Sequence, residues 1–432
     1  MIKMYRSYDE MPKIELPLKQ EIKLSDSTIR DGAQMPGIVM LKKHKLTIYE
    51  YLHKIGIEKL ECFLYNERDR VVAREMLDIN YEVPEVTAWA RANKNDIDLV
   101  LNMDGIRETG ILMSISDAHI FDKLGFKKRE EASERYLEVM DYALEHGLRV
   151  RCHLEDITRS DFYGFVVPFV REIISRDKNA IIRICDTLGL GLPFPEIDLP
   201  YGIPRMVKEL RRIGVRNIET HIHDDFGLGV ACSLAGFWYG ANWSNLTFLG
   251  IGERAGNSEL EKVVLFLITR VSGFEKYNPR VLVEFAEYME REVRIFIPRN
   301  KAIVGRQIFA HESGIHTSAV IKNPFLYEPF PPELVGAKRK LMIGDSSGTD
   351  VIRKKVEEIA ENLMGIKVRI DKRDPRILAI YRDIHRLYDE EGRRSCISDD
   401  EMKKYVEKYF MFEPVIDEIK LDDSEAKDSN DE

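Results

Sequence analysis

Two histidines, His221 and His223, are the residues of this sequence that point most directly to chemistry. Thr220 and Ile222 lie beside them and Gly227 follows, as expected at the end of a β-strand. Side chains alternate along a strand, so both imidazoles would project from one face and could bind one ion together. Two histidines in a strand are also typical of a polar sheet edge, so a metal site requires further ligands from elsewhere in the chain.

Further candidate ligands occur in two polar stretches, Asp26–Gln34 and Gly250–Asn257. Asp31 could be a third, hard ligand, and the adjacent Arg30 could neutralise charge on a substrate. The alternative is that Asp31 and the glycine after it only form a turn. Asn257 is a candidate carbonyl-oxygen ligand. The second stretch also satisfies a loose dinucleotide-binding pattern, but it does not follow the first strand of a βαβ unit.

The elements that must position these residues alternate regularly. Between about residues 21 and 268, short apolar strand patterns and amphipathic helical patterns alternate eight times. This predicts a closed (β/α)8 TIM barrel with its active site at the carboxyl ends of the strands; a doubly wound open sheet is the structural alternative. The predicted strands are Ile22–Thr28, Lys59–Leu64, Val86–Ala90, Gly110–Ile115, Arg149–Glu155, Ile181–Thr187, Ile218–His223 and Asn245–Leu249.

The fifth and sixth predicted strands also carry polar residues near their ends. Arg151, His153 and Glu155 share one face of the fifth strand, and Thr187 closes the sixth. Three polar side chains on one face cannot lie in a dry core without partners, which favours a position in the barrel mouth.

The alternation stops after residue 272. A later segment contains His311, Glu312 and His316, which suggests a lid carrying acid–base groups; surface histidines near the start of a helix are the alternative. The predicted organisation is an N-terminal extension (1–20), a TIM-barrel catalytic domain (21–290), a smaller, mostly helical C-terminal lid region (291–419) and a disordered acidic tail (420–432).

Composition limits the possible partners. The 432-residue chain has a formal net charge of −9, which argues against binding nucleic acid through its whole surface. Its five cysteines form an odd set without CxxC spacing, as expected in a reducing cytoplasm. The longest apolar run, Val263–Thr269, is too short to span a bilayer. A cytoplasmic protein without nucleic-acid or membrane partners is expected.

Four separate motifs combine into a resemblance to a known family. They are Asp26–Gln34, His221–His223, Gly250–Asn257 and His311–His316. Together they resemble the metal-dependent Claisen-condensing enzymes that share a barrel with 3-hydroxy-3-methylglutaryl-CoA lyase: the 2-isopropylmalate, homocitrate, citramalate and Re-citrate synthases. The resemblance extends over about residues 22–348. It implies an acyltransferase that joins acetyl-CoA to a 2-oxo acid and releases CoA.

The resemblance also implies roles for the residues of the mouth. Asp31, His221 and His223 would bind a divalent cation such as Mn²⁺, Mg²⁺, Co²⁺ or Zn²⁺, with Asn257 in or near its coordination shell. Arg30 would stabilise the developing oxyanion.

Further family roles fall on other strand ends and on the lid. Glu155 would be the acid–base glutamate, and Arg151 and Thr187 would hold the carboxylate of the 2-oxo acid. His316 and Tyr327 would be delivered by the lid, in this family usually to the partner subunit of a homodimer.

The identity of the 2-oxo acid depends on longer stretches. Those most like the Re-citrate synthase branch, which uses oxaloacetate, are Glu61–Arg70, Pro84–Asn93, Glu108–Asp117 and Arg151–Pro168. Arg91, with His153, could pair with a second carboxylate. Homocitrate synthase, using 2-oxoglutarate, would also need a cationic clamp, whereas 2-isopropylmalate synthase needs an apolar slot for 2-oxoisovalerate; both remain alternatives.

Some features depart from the citrate branch. Asp224 and Cys232 stand where many relatives carry asparagine, and the lid resembles the isopropylmalate and homocitrate synthases more closely. The chain leaves no room for the regulatory domain of feedback-inhibited isopropylmalate synthases, so leucine allostery through such a domain is not expected. Two other functions compete: a lyase that cleaves a 3-hydroxyacyl-CoA, and an inactive paralogue that only binds. The lid favours synthesis over cleavage, and the complete set of ligand positions favours an enzyme.

Overall fold

The computed structural model describes residues 5–365 and 367–410, and its largest part is a closed barrel of eight parallel strands in chain order. The strands are β1 (Lys23–Asp26), β2 (Lys59–Cys62), β3 (Glu85–Arg91), β4 (Glu108–Ser114), β5 (Arg149–Glu155), β6 (Ile181–Asp186), β7 (Asn217–Ile222) and β8 (Trp243–Leu246). Because β1 pairs with both β2 and β8, the sheet has no free edge. The predicted TIM barrel is therefore confirmed, and the doubly wound alternative was wrong.

Helices connect the strands. They are α1 (Lys42–Ile55), α2 (Glu67–Ile79), α3 (Lys94–Leu101), α4 (Arg129–Glu145), α5 (Val167–Arg176), α6 (Ile203–Arg212), α7 (Gly229–Tyr239) and α8 (Leu260–Arg270), followed by α9 (Leu282–Tyr288). Their buried faces follow the apolar periodicity of the sequence. In α1, for example, Ile48, Leu52 and Ile55 are all buried, at the three- and four-residue spacing of one helix face.

The strands β1 and β8 end two and three residues earlier than predicted because tight turns follow them. After β1, the carbonyl oxygen of Ser27 accepts hydrogen bonds from the backbone N–H groups of Arg30, Asp31 and Gly32. After β8, Leu249 adopts a left-handed backbone conformation with φ of 63°, which an extended strand does not allow. Both turns lie at the carboxyl ends of their strands, where polar residues of the site follow.

The interior of the barrel contains partnered charges. Arg151 and Arg183 are fully buried, and both pair with Glu219, at 3.0 Å and 2.6 Å. Arg151 also lies 2.9 Å from Glu108, and Arg183 lies 3.1 Å from Glu61. Buried charges persist only when they are paired, so this network fixes the polar side chains that project into the barrel.

The chain divides into two compact units. The first is the barrel unit up to Ile308 with the returning segment Phe330–Lys338, and the second comprises Phe309–Pro329 and the chain from Arg339 onward. The predicted domain limit at residue 290 stays a prediction. The second unit contains the pair β9 (Ala310–His311) and β10 (Lys340–Leu341) and the helices α10 (Gly314–Lys322), α11 (Thr349–Met364), α12 (Pro375–Asp389) and α13 (Asp399–Phe410).

The second unit has an apolar core of its own. Ile352 and Val356 of α11 pack in one buried cluster with Ile380 and Ile384 of α12 and Val406 of α13. A mostly helical C-terminal region is therefore confirmed. The predicted acidic tail at 420–432 lies outside the described residues. Within the described residues, no helix combines the length and the apolar character needed to cross a membrane.

Candidate active site

A cavity of about 330 Å³ opens at the carboxyl ends of the strands. Seven of the predicted site residues line it: Arg30, Asp31, His153, Glu155, Thr187, His221 and His223. Glu253 and Arg254 also line it, as expected from a Gly250–Asn257 loop that presents them to the mouth. The sequence did not single out the other five residues of the lining, which are Gln34, Trp89, Leu112, Lys123 and Cys185. The predicted strand ends therefore meet in one place, as a TIM barrel requires.

Asp31, His221 and His223 form a compact group of potential metal ligands. One donor atom from each lies within 4.8 Å of the others, and all three residues are buried. Asn257 lies beside them: its amide nitrogen donates to Asp31 at 3.2 Å, while its amide oxygen is buried without a hydrogen-bond partner. Two imidazoles, a carboxylate and an unsatisfied amide oxygen are a donor set that suits a divalent cation.

Neighbouring oxygens fix the orientation of both imidazoles. Nδ1 of His221 lies 2.8 Å from the amide oxygen of Asn245, and Nδ1 of His223 lies 3.1 Å from the carbonyl oxygen of Gly256. These oxygens can only accept, so each Nδ1 carries the proton. Each Nε2 therefore keeps the lone pair with which it can bind a metal ion. Burial, assisted by His221, lowers the pKa of His223 to about 4 and keeps this imidazole neutral.

Arg30 is held between two carboxylates. Its guanidinium lies 2.7 Å from Glu61 and 3.0 Å from Asp31. Burial alone would raise the pKa of Asp31, but the charge of Arg30 and the contact with His221 outweigh it and hold the pKa well below the ordinary value. Glu61 was not predicted as a site residue. A lone glutamate inside the short buried strand β2 was the signal for it, because an acid there needs a cationic partner.

Two predicted substrate-binding residues do not line the cavity. Arg151 is 1% exposed, and its charge is used by Glu108 and Glu219 beneath the mouth. Arg91 forms a two-point contact with Asp96 at 2.9 Å, and 62% of its side chain is exposed. Neither position supports the predicted contact with a substrate carboxylate.

His153 lines the cavity, but as a neutral group. Burial lowers its pKa to about 3, and the positive charge of Arg183 acts in the same direction. Its Nε2 lies 3.3 Å from Glu61. A neutral imidazole can form a hydrogen bond with a substrate, but it cannot supply the positive charge that the sequence interpretation assigned to it.

Glu155 lies at the end of β5 among several donors. It accepts a hydrogen bond from the Ser114 hydroxyl, and its carboxylate lies 3.1 Å from Nδ1 of His119 and 2.8 Å from Nζ of Lys123. Burial raises the pKa of Glu155, but these contacts outweigh it and lower the pKa to about 2. His119 and Lys123 come from a single π-helical segment, Ala118–Lys123, which has no periodic signal in the sequence.

Arg254 connects three loops at the rim. It donates to the Asp225 carboxylate at 2.9 Å and 2.8 Å and to the carbonyl oxygen of Thr187 at 2.6 Å. The hydroxyl of Thr187 accepts from the backbone N–H of Asp156 at 2.9 Å. Thr187 is therefore positioned by its neighbours on both sides.

His316 and Tyr327 lie in the second unit. Their rings meet edge to face with centroids 4.5 Å apart, and Tyr327 is 48% exposed. The two side chains form one exposed pair. Their predicted delivery to an active site stays a prediction.

The fold and the mouth define a TIM-barrel enzyme with a candidate metal site. The chain belongs to the HMGL-like family, whose model matches residues 21–285. Residues 303–373 match a second model, described as homocitrate synthase post-HMGL domain-like. These matches confirm the resemblance that the four motifs indicated.

Individual relatives agree with this assignment. The chain is 38% identical to a citrate (Re)-synthase of Clostridium kluyveri, over 93% of this chain and 92% of that protein. It is 36% identical to a probable 2-isopropylmalate synthase of Ignicoccus hospitalis, over 90% of this chain and 93% of that protein. These relatives are acyltransferases, which confirms the predicted enzyme class. The barrel also superposes on the HMG-CoA lyase of Bacillus subtilis with a TM-score of 0.55 and 19% identity, covering 66% of this chain and 97% of that one, a likeness of fold alone.

Proposed function

We propose that the protein is a metal-dependent acyltransferase that joins the acetyl group of acetyl-CoA to oxaloacetate, giving citrate and free CoA. The observation that carries this proposal is the meeting of Asp31, His221, His223 and Arg30 in one cavity at the barrel mouth. The similarity to a citrate (Re)-synthase over 93% of the chain supports oxaloacetate as the acceptor.

The proposed metal site uses residues that are already arranged for it. Held by Asp31, His221, His223 and Asn257, a divalent cation would supply Lewis-acid polarisation of the acceptor's oxo group. Mixed nitrogen and oxygen donors suit several divalent ions, so Mn²⁺, Mg²⁺, Co²⁺ and Zn²⁺ are all candidates.

Arg30 and Thr187 serve the acceptor in this proposal. Glu61 fixes the guanidinium of Arg30 at the cavity wall, where its positive charge stabilises negative charge that develops on an oxygen. The hydroxyl of Thr187 holds the acceptor's first carboxylate. Both groups are placed before substrate enters, so they need little reorganisation during the reaction.

The proton chemistry requires a positioned base. The methyl group of a thioester is a very weak acid, and its proton leaves only when a base lies within reach while donors stabilise the enolate oxygen. We assign the acid–base work to Glu155 of the barrel and His316 of the second unit, with Tyr327 beside His316. Hydrolysis of the CoA thioester then makes the sequence irreversible.

The lining of the cavity favours an acidic acceptor over a branched apolar one. Of the fourteen lining residues, apolar character is limited to Trp89, Leu112 and Cys185, whereas Arg30, Lys123 and Arg254 contribute cations. A synthase for 2-oxoisovalerate would need an apolar slot instead. The second candidate is homocitrate synthesis from 2-oxoglutarate, because the region after the barrel matches the post-HMGL domain of homocitrate synthase.

We also propose a cytoplasmic homodimer. All five cysteines are free and four are buried, which suits a reducing compartment. The exposed pair of His316 and Tyr327 in the second unit is the element that a second subunit would receive.

A thiol-release assay tests the proposed reaction. The protein is supplied with Mn²⁺ or Mg²⁺ and acetyl-CoA, and oxaloacetate, 2-oxoglutarate, 2-oxoisovalerate and pyruvate are compared as acceptors. The fastest CoA release is expected with oxaloacetate. No CoA release with any acceptor would reject the synthase, and faster release with 2-oxoglutarate would replace citrate by homocitrate. Cleavage of 3-hydroxy-3-methylglutaryl-CoA under the same conditions would instead indicate a lyase.

A further inference from the structure

The wall of the cavity that faces the metal ligands carries Lys123. Asp31 follows β1, His221 and His223 lie at the end of β7, and Asn257 follows β8; these three strands are neighbours in the barrel. Lys123 follows β4, and β4 and β5 lie on the opposite side of a closed eight-stranded barrel. An acceptor bound at the metal site by its oxo and first carboxylate groups would therefore extend towards this wall.

The other two cations of the cavity lining, Arg30 and Arg254, already pair with carboxylates of the protein. Arg30 is held by Glu61 and Asp31, and Arg254 is held by Asp225 and a backbone carbonyl. Releasing Arg30 would leave the carboxylates of Asp31 and Glu61 without this partner. Releasing Arg254 would do the same to Asp225 at the rim.

Within the described part of the chain, Lys123 is held by a single partner. Its two hydrogen bonds, at 2.8 Å and 2.9 Å, go to the single carboxylate of Glu155, and 45% of its side chain is exposed. Glu155 would still accept the hydrogen bond from Ser114 and would still lie 3.1 Å from Nδ1 of His119 if Lys123 left it. Because nearly half of the Lys123 side chain faces solvent, exchanging one carboxylate partner for another costs little.

We propose that Lys123 determines the selectivity for dicarboxylic acceptors: its ammonium group leaves Glu155 and binds the second carboxylate of the 2-oxo acid. This inference rests on the proposed function and names the group that recognises the acceptor's far end. A monocarboxylic acid offers no second carboxylate and leaves Lys123 on Glu155. Lys123 thus takes the role that the sequence interpretation gave to Arg91 and His153.

The exchange also has a consequence for Glu155. Lys123 is one of the donors that hold the pKa of Glu155 down against the effect of burial. When Lys123 moves to the acceptor, Glu155 loses this contact and becomes a stronger base. A bound dicarboxylic acceptor would therefore prepare the acid–base group.

Equilibrium binding to the full-length protein tests the proposal. Oxaloacetate and pyruvate are titrated separately into Mg²⁺-supplied protein, without acetyl-CoA, and the wild type is compared with Lys123→Met. We expect the dissociation constant for oxaloacetate to rise roughly 10- to 100-fold, because a charge-assisted hydrogen bond is lost, and the constant for pyruvate to change less than about threefold. Lys123→Arg should retain most of the oxaloacetate affinity because it keeps the positive charge.

A matched control separates recognition from general charge effects. Lys128 is exposed and is not part of the cavity lining, so Lys128→Met removes the same charge without touching the site. Lys128→Met should bind both acids as the wild type does. Equal losses for oxaloacetate and pyruvate in Lys123→Met, or no loss for either, would overturn the proposal, as would a wild type that binds oxaloacetate no more tightly than pyruvate. Because binding is measured without turnover, failure here is distinct from failure of the CoA-release assay, which bears on the reaction.

Discussion

The amide oxygen of Asn245 lies 2.8 Å from Nδ1 of His221 and also accepts a hydrogen bond from the Ser27 hydroxyl at 2.8 Å. The amide nitrogen of Asn245 donates to the hydroxyl of Ser25. Asn245 is fully buried and its orientation is therefore fixed by β1 and β7 together. This contact selects the tautomer of His221 that leaves Nε2 free for a metal ion.

Replacing Asn245 should weaken metal binding without removing a ligand. For Asn245→Leu we expect the affinity for Mn²⁺ to fall roughly 10- to 100-fold, because the imidazole of His221 loses its orienting partner. Titration calorimetry on protein stripped with chelator measures this directly. Thermal unfolding in chelator controls for damage to the barrel. Unchanged Mn²⁺ affinity in a folded variant would show that Asn245 does not orient the ligand.

Two single variants should separate metal binding from acid–base chemistry. His223→Ala should lose both Mn²⁺ binding and activity, because it removes a ligand. His316→Ala should bind Mn²⁺ normally but turn over about 100- to 10,000-fold more slowly, as expected for loss of an acid–base group. The exposed His146 provides the control, since His146→Ala should behave as the wild type. Normal turnover by His316→Ala would exclude His316 from the reaction.

Mixing these two inactive variants tests whether the second unit serves the partner subunit. In a mixed dimer with exchanged lids, one site combines an intact metal site with an intact His316, so random mixing should restore about a quarter of wild-type activity. If each lid serves its own barrel, the mixture stays inactive. Co-expression of differently tagged chains, followed by CoA release, distinguishes the two arrangements.

The charge network in the barrel should be costly to interrupt. Glu219 is fully buried and pairs with both Arg151 and Arg183. Glu219→Gln leaves these guanidinium groups undercompensated, and we expect the free energy of unfolding to fall by about 3–5 kcal/mol. Urea unfolding followed by tryptophan fluorescence reports on this region, because all three tryptophans belong to the barrel unit.

An exposed ion pair provides the control for Glu219. Glu172 pairs with Arg176 on the outside of α5, where 62% of the Glu172 side chain is exposed. Glu172→Gln should change the free energy of unfolding by less than about 0.5 kcal/mol. Equal, small effects of both substitutions would contradict the structural importance of the buried network.

Acid should weaken the barrel through the same network. Burial raises the pKa of Glu108, but Arg151 and Lys59 outweigh it and lower the pKa from 4.5 to about 2. The stability that this carboxylate contributes is fully present above its ordinary pKa of 4.5 and is lost as the pH falls through about 2, a change of about 3 kcal/mol at about 1.4 kcal/mol per unit. The difference in unfolding free energy between wild type and Glu108→Gln should therefore shrink as the pH is lowered across this window. A constant difference would contradict the lowered pKa.

The sequence predicted the barrel because alternating apolar strands and amphipathic helices leave few other folds. It predicted β5 at its observed limits, Arg149–Glu155. It also placed His221 and His223 at the carboxyl ends of the strands, where they line the cavity. Strand periodicity gives the face on which a side chain lies but not its depth in the barrel. Arg151 and Glu155 share a face, yet Glu155 lies four positions further along the strand, a distance of about 13 Å, and of the two only Glu155 lines the cavity.

Long-range partners limited the prediction in a second way. Arg91 ends β3, and the sequence indicated that its guanidinium could bind a substrate carboxylate. In the structure the guanidinium donates instead to the carboxylate of Asp96 near the start of α3. Lys123 had no strand or helix pattern to mark it, because it lies in a single π-helical turn. Such residues become visible only when the elements around the barrel are brought together.

The most direct test of the central claim is the identity of the product. Acetyl-CoA labelled with carbon-13 in its methyl group is incubated with oxaloacetate, Mg²⁺ or Mn²⁺ and the enzyme, and the products are followed by NMR. We expect the label to appear in a methylene carbon of citrate as CoA is released, and His223→Ala to give no labelled citrate. Label that remains in acetyl-CoA or appears only as free acetate would contradict the assignment of this protein as a carbon–carbon bond-forming synthase.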